Sequence, residues 1–257
     1  MSVETALITG ASAGIGAELA RCFAADGSRL VLVARRAEVL AKLAEDLRSE
    51  FQVEVLVEPC DVGDRQALSE LMERLTSRGV EIDVVVNNAG FGLLGECHTL
   101  PLDRQQAMID LNMLGLVTLT RLALPDMLKR GRGGILNVAS VAGFQPGPRM
   151  AVYYASKAFV LSFTEALAEE LVGTPLHVSC LCPGPTKTEF GSISGMEASQ
   201  LFRLGTMTAR EVAQVGHRGY RAKKVIVIPG WTNRLSTLAV RLIPRVIIRK
   251  AVKRMNS

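Results

Sequence analysis

Thr5-Ala6-Leu7-Ile8-Thr9-Gly10-Ala11-Ser12-Ala13-Gly14-Ile15-Gly16 is the stretch whose reading decides the fold. A short apolar run ends in a glycine-rich turn, and the turn opens into an amphipathic segment. Glycines there permit a tight turn and let the backbone approach a pyrophosphate, which would lie on the free N–H groups of the helix that follows. Gly10, Ser12, Gly14, Ile15 and Gly16 are therefore the candidate phosphate cradle. The spacing is Gly-x-x-x-Gly-x-Gly rather than Gly-x-Gly-x-x-Gly, and glycines that serve only a turn are the alternative.

Outward from this turn the same strand-then-helix alternation repeats. Strands are expected at Thr5 to Thr9, Leu30 to Ala34, Glu54 to Pro59, Val84 to Asn87, Gly134 to Ala139, His177 to Cys182 and Val225 to Ile228. Several are unbroken Val/Ile/Leu runs of the kind buried on both faces of a parallel sheet. Between them lie helical spacings such as Val39, Leu40, Leu43, Leu47 and Leu68, Leu71, Met72, Leu75. The expected fold is α/β: a doubly wound Rossmann arrangement of about seven parallel strands with helices on both faces. With no Pro/Gly/Ser linker, residues 1–257 are expected to form one domain, in which 184–206 is a lid over the substrate.

Composition excludes several classes. A chain of 257 residues that is 48% hydrophobic and 21% charged, with 23 glycines and 10 prolines, is neither disordered nor collagenous. Its uncharged stretches fall short of the roughly 18 to 20 apolar residues that cross a bilayer, and the N-terminus has no signal-like pattern, so a soluble, cytoplasmic protein is expected. The five cysteines have no Cys-x-x-Cys spacing and are expected to be reduced, with Cys180 and Cys182 on opposite faces of a strand. His98, His177 and His217 stand apart, so no metal site is expected.

Two further groups of residues bear on chemistry. The second expected strand ends at Arg35-Arg36, where an acidic residue would receive the ribose 2′-hydroxyl of NAD. Two fork-shaped cations there suit a 2′-phosphate and favour NADP(H) over NAD(H); arginines on a solvated helix start are the alternative. In Tyr153-Tyr154-Ala155-Ser156-Lys157 a tyrosine and a lysine lie four apart, on one face of a helix. A nearby ammonium is expected to lower the Tyr153 pKa toward a working acid/base range, though the bare pattern also fits a helix-surface pair. Ser140 shifts that balance, because it ends the fifth strand at the carboxyl edge where such sheets bind ligands. No Gly-x-Ser-x-Gly surrounds it, which disfavours a serine hydrolase.

The chain resembles the short-chain dehydrogenase/reductases, in their single-domain Rossmann branch. The resemblance rests on Thr9 to Gly16, Asp61-Val62, Asn87-Asn88-Ala89-Gly90, Asn112, Ser140, Tyr153-x-x-x-Lys157 and Pro183-Gly184 with Thr188, in order along nearly the whole chain. It implies that Tyr153 is the general acid/base, that Ser140 positions the substrate oxygen, that Lys157 lowers the tyrosine pKa and binds the nicotinamide ribose, and that Asn112 completes a water-linked relay. It further implies that Asp61 and Val62 contact adenine, that Asn88, Ala89 and Gly90 wall the adenine ribose, and that Pro183, Gly184, Thr186 and Thr188 face the nicotinamide. Thr186 departs from the aliphatic residue more usual there. Arg35 resembles the NADP-preferring subgroup. Family likeness also implies a homo-oligomer, a dimer or tetramer paired through helices near 101–130 and 151–173.

Phe91, Leu93, Phe144, Met150 and Phe190, with Met196 in the lid, are expected around the substrate, so an apolar ketone, aldehyde or secondary alcohol is preferred to a phosphorylated or polycarboxylate one. Apolar residues under a lid are also ordinary core. The last segment, 218–257, holds 11 of the 30 basic residues and none of the 25 acidic ones. Trp231 to Met255 reads as a basic helix that Pro244 kinks or divides. Such a helix suits an anionic membrane surface or an acidic partner, or is simply a solvated face; nucleic acid is not expected. The leading function is an NADP(H)-dependent carbonyl reductase or alcohol dehydrogenase. A membrane-held acyl or lipid ketoreductase and a non-catalytic cofactor-binding sensor or scaffold are the competing ones.

Overall fold

The computed structural model describes residues 3–195 and 206–256. Seven parallel strands form one sheet: β1 (Thr5–Thr9), β2 (Arg29–Ala34), β3 (Val55–Pro59), β4 (Val84–Asn87), β5 (Gly134–Val138), β6 (His177–Leu181) and, last in the chain, β9 (Ile226–Val227). Their order is β3-β2-β1-β4-β5-β6-β9, so the direction of winding reverses between β1 and β4. That reversal opens a crevice at the carboxyl ends of the strands, the place where open α/β sheets bind ligands.

Side chains alternate across the pleat and build a core on each face. Ala6, Ile8, Leu30 and Leu32 point to the layer made by α1 (Gly14–Ala25), α2 (Ala37–Phe51) and α8 (Ala209–Arg221), where Leu19, Phe23, Leu40 and Tyr220 receive them. Leu7, Val31 and Val33 point to the opposite layer of α3 (Arg65–Ser77), α5 (Leu116–Arg130) and α6 (Ala151–Glu170), against Leu68, Leu71, Leu119 and Leu167.

The helix before β5 is continuous from Leu102 to Arg130: α4 (Leu102–Ile109), a π-helical turn (Asp110–Gly115) and α5. Contrary to the expectation from sequence, this run is long and apolar enough to cross a bilayer. Met108, Asn112, Leu119, Ala123 and Met127 are nevertheless buried along it, which is how a core helix of an α/β layer sits.

Residues 184–206 are not wholly without strand. β7 (Thr186–Lys187) pairs in parallel with β8 (Met207–Thr208), and α7 (Glu189–Ser194) follows β7. Two-residue strands are too short to show periodicity. Met196 lies outside the described residues. The tail breaks at Pro244 into α9 (Trp231–Leu242) and α10 (Arg245–Met255). Cys180 and Cys182 also differ from expectation. Residues two apart on a pleated strand share a face, and their sulfurs lie 3.7 Å from each other in the core.

Candidate active site

The tips of β1 and β4 are laced together before the glycine turn begins. Thr9 Oγ1 donates to the Val86 carbonyl at 3.1 Å and accepts the N–H groups of Asn88 and Ala89 at 3.0 and 3.1 Å. Asn88 Nδ2 donates to the Thr9 carbonyl at 2.9 Å and to that of Gly10 at 3.2 Å. Gly10 then takes φ +63°, and a Cβ on Gly16 would run into the Gly10 carbonyl and the Asn88 amide. The crowding presses the turn flat and leaves the first N–H groups of α1, which has no side-chain cap, open to the crevice.

Beside this turn Arg36 Nη2 donates to Ser12 Oγ at 3.1 Å and to Glu189 Oε2 at 2.9 Å, so the start of α7 is tied across the phosphate end. Arg35 extends outward: its side chain is 76% exposed, with Asp61 Oδ2 at 3.8 Å from Nη1. A cation beside an uncapped helix N-terminus suits an anion with a second phosphate. The residues present fit a phosphorylated dinucleotide.

The other end of the crevice holds the proton-transfer residues. Ser140, just past β5, donates to the Pro183 carbonyl at 3.3 Å, accepts from the Ala142 N–H at 3.1 Å, and its side chain hydrogen-bonds Tyr153. Lys157, one helical turn beyond Tyr153 on α6, donates from Nζ to the Val138 carbonyl at 2.8 Å and stands 5.9 Å from the centre of the Tyr153 ring. Burial pushes the Lys157 pKa down to about 8. Burial also raises the Tyr153 pKa, and the Ser140 hydrogen bond offsets only part of that rise. The lowering expected from sequence is therefore not found, because desolvation of the phenolate is the largest influence on it.

Asn112 sits in the π-helical turn and is 2% exposed. Its Oδ1 accepts from the Phe91 N–H at 3.1 Å, and Nδ2 donates to the Phe91 carbonyl at 3.0 Å and to Ser156 Oγ at 3.1 Å. It thereby fixes the chain after β4. A Cβ on Gly90 would come within 3.0 Å of Asn112 Oδ1 and 3.5 Å of Lys157 Nζ, so the three meet at that glycine.

A cavity of about 630 Å³ joins the two ends. Gly10, Ser12, Gly14, Ile15, Arg35, Arg36, Asp61, Val62, Asn88, Ala89 and Gly90 line it, as do Ser140, Tyr153, Lys157, Pro183, Gly184, Thr186 and Thr188. Gly16 and Asn112 do not line it and act from behind. Of the residues expected around the substrate, Phe91 and Phe190 line the cavity. The Phe190 ring lies 5.3 Å from that of Tyr153, centre to centre. Leu93 and Met150 pack behind Tyr153 instead. Phe144 is a correction: the short 3₁₀ turn Val141–Phe144 rotates it away, into the cluster of Val160, Cys180 and Ile228.

Several lining residues escape a reading of the sequence. Glu189 and Gln145 belong to segments with no motif of their own, Tyr154 lies inside the Tyr-x-x-x-Lys stretch without being one of its two named positions, and Arg104, over the Phe91 ring at 5.5 Å, adds a cation to a lining expected to be apolar. Asn233, from α9, fills the space a Cβ on Gly184 would need and so braces the Pro183-Gly184 turn.

Comparison with known proteins agrees with this geometry. The family model described as short chain dehydrogenase matches residues 4–196. An NADP-dependent 3-hydroxy acid dehydrogenase of Salmonella typhi is 40% identical over 189 residues, which is 73% of this chain and 75% of that one. An uncharacterized oxidoreductase of Myxococcus xanthus is 33% identical over 258 residues, 100% of this chain and 99% of its own. Among solved structures, a short-chain dehydrogenase from Sphingobium yanoikuyae in complex with NADPH superposes with a TM-score of 0.84 at 32% identity, covering 93% of this chain and 94% of that one.

Proposed function

The chain belongs to the short-chain dehydrogenase family and is an oxidoreductase of hydroxyl and carbonyl groups, and from that premise we propose that it uses NADP(H), with Tyr153 as the acid that serves the substrate oxygen. The observation that carries the reading is the Tyr153 hydroxyl, buried at one end of the cavity and hydrogen-bonded to Ser140, opposite the glycine turn and its arginines. NADPH, when bound, supplies the hydride for a carbonyl carbon. Gly10, Ser12, Gly14 and Ile15 would receive its pyrophosphate, Arg35 and Arg36 its 2′-phosphate, and Asp61 and Val62 its adenine. Gly90 and Lys157 would take the riboses, with Pro183, Gly184, Thr186 and Thr188 at the nicotinamide.

At the substrate Ser140 orients the carbonyl oxygen and Tyr153 gives it a proton. Lys157, while protonated, stabilises the negative charge left on the phenol oxygen. Burial holds Tyr153 as the neutral phenol, the form that donates a proton in the reductive direction. Phe91 and Phe190 suit an apolar carbonyl compound, with Arg104 at the side of Phe91. Asn112 is a positioning residue through Phe91 and Gly90.

The chain would act as one domain in the cytoplasm, a setting that suits its five free cysteines. It would pair with a second copy through the Leu102–Arg130 and α6 helices, where Ile109, Leu114, Leu122 and Leu128 are exposed. Its basic tail would meet an anionic surface. Tyr153→Phe tests the catalytic reading: carbonyl-dependent NADPH oxidation is expected to fall at least about 100-fold while NADPH affinity stays within about threefold. Retained turnover would refute Tyr153 as the acid, and lost NADPH binding would mean that the substitution damaged the site rather than the chemistry.

A further inference from the structure

The tail made by α9 and α10 has an inner and an outer face of different character. On the inner face Ile248 and Val252 are buried against Met108, Met150, Tyr153 and Tyr154, the cluster directly behind the substrate end of the cavity. Asn256, fully buried, closes the tail by donating from Nδ2 to the Pro148 carbonyl at 2.9 Å, while its own carbonyl accepts from Arg149 at 2.7 Å. The helices are thus docked by a defined set of residues, and the outer face is not a core face left unfolded.

That outer face is nonetheless apolar. Trp231, Leu235, Leu238 and Leu242 recur at intervals of four, three and four, a single stripe of one helix, and they are 76, 59, 58 and 87% exposed. Val246 and Ile247, 51 and 57% exposed, continue it past the Pro244 break. Scattered exposed leucines need no explanation, but a contiguous stripe on an ordered helix marks an interaction surface. Arg234, Arg241, Arg245, Arg249 and Lys250 are exposed along the same two helices, and no acidic residue follows Glu211.

We propose that the outer face of α9 and α10 is a docking surface for an anionic lipid bilayer, with Trp231, Leu235, Leu238 and Leu242 entering the interface and the flanking arginines meeting lipid phosphates. This deepens the tail contact of the reading above, and its observations are independent of the catalytic assignment. Charge decides the occupant. A second copy docked tail to tail would bring like charges together, whereas a bilayer takes an aliphatic stripe and its cationic borders at once and needs no shaped groove. The inner face of the same helices backs Tyr153 and Tyr154. Docking therefore sets the substrate end of the cavity about one helix diameter, ~10 Å, from the lipid surface.

The test uses the full chain, with phosphatidylcholine vesicles prepared with and without phosphatidylserine, in a sedimentation assay at low and high salt. NADPH binding is measured on the same preparations, so that a fold or cofactor failure is seen separately. The wild-type chain is expected to bind the phosphatidylserine vesicles, and high salt or R241E/R245E to weaken that binding about tenfold or more. L238E/L242E is expected to abolish it while NADPH affinity is unchanged. Absence of vesicle binding by wild-type chain that binds NADPH would overturn the proposal. So would binding indifferent to all four substitutions, or self-association abolished by L238E/L242E with no vesicle binding.

Discussion

Lys157 is a buried ammonium that donates to a backbone carbonyl, that of Val138, and its pKa near 8 follows from that burial. Below pH 8 it is charged in the folded chain, and the reductive kcat/KM is expected to fall as pH rises through about 8, since the free protein then lacks the charge that stabilises the phenolate. Lys157→Met should lower the plateau and remove that fall. Stability moves the other way. Between pH 8 and the ordinary lysine value of 10.5 the unfolded chain holds a proton that the folded chain has released, so folding is favoured increasingly as pH rises. Denaturant melts of wild type and Lys157→Met should therefore diverge above pH 8, wild type gaining about 1.4 kcal/mol per pH unit relative to the variant; parallel curves would contradict the assignment. At this scale the sequence was legible for chemistry and less so for environment. Tyr153, Lys157 and Ser140 were readable as a constellation, but the sign of the tyrosine shift depends on how much water the fold removes, which spacing does not report.

The edge of the sheet beneath the site is held by side-chain amides rather than by apolar packing alone. Asn87 Nδ2 donates to Asn137 Oδ1 at 2.9 Å and to Thr120 Oγ1 at 3.1 Å, and Asn137 Nδ2 donates to Thr164 Oγ1 at 3.0 Å, joining β4, β5, α5 and α6. Asn137→Val, which keeps strand propensity, strips both partners at once and is expected to destabilise the fold by about 2–3 kcal/mol in urea melts. A second element is fixed by its cap. Thr208 and Glu211 form a reciprocal capping box at the start of α8, and Thr208→Ala should lower stability by about 1 kcal/mol without altering NADPH affinity. The strands were legible because apolar runs separated by glycine turns admit few other readings. The π-helical turn was not: Asp110–Gly115 carries no breaker before Gly115, whose own need for glycine arises from the Val62 carbonyl pressed against it. Asn137 and its partners likewise lie 27 and 50 residues apart, beyond any local pattern.

Across the whole molecule, long-range ion pairs and the tail complete what the sheet begins. Arg221 of α8 grips Glu4 with two hydrogen bonds of 2.7 and 2.8 Å and Asp26 with a third of 2.8 Å, tying the end of α8 to the start of β1 and the end of α1. The tail then covers the substrate side, with Asn233 against Gly184 and Ile248 against the cluster behind Tyr153. The basic character of the tail was visible in the sequence. Which of its faces turns inward was not, because apolar residues occur on both, and only the docking of Ile248, Val252 and Asn256 decides it. One cavity joins the two ends of the site, a cradle proposed for a 2′-phosphorylated dinucleotide and a phenol poised for proton transfer. Calorimetric titration of the protein with NADPH and NADH in parallel tests that cradle most directly, since no substrate need be known. NADPH is expected to bind at least about tenfold more tightly, roughly 1.4 kcal/mol, through the glycine turn with Arg35 and Arg36. Tighter binding of NADH would contradict the role given to the arginines, and failure of the folded protein to bind either nucleotide would contradict the cradle itself.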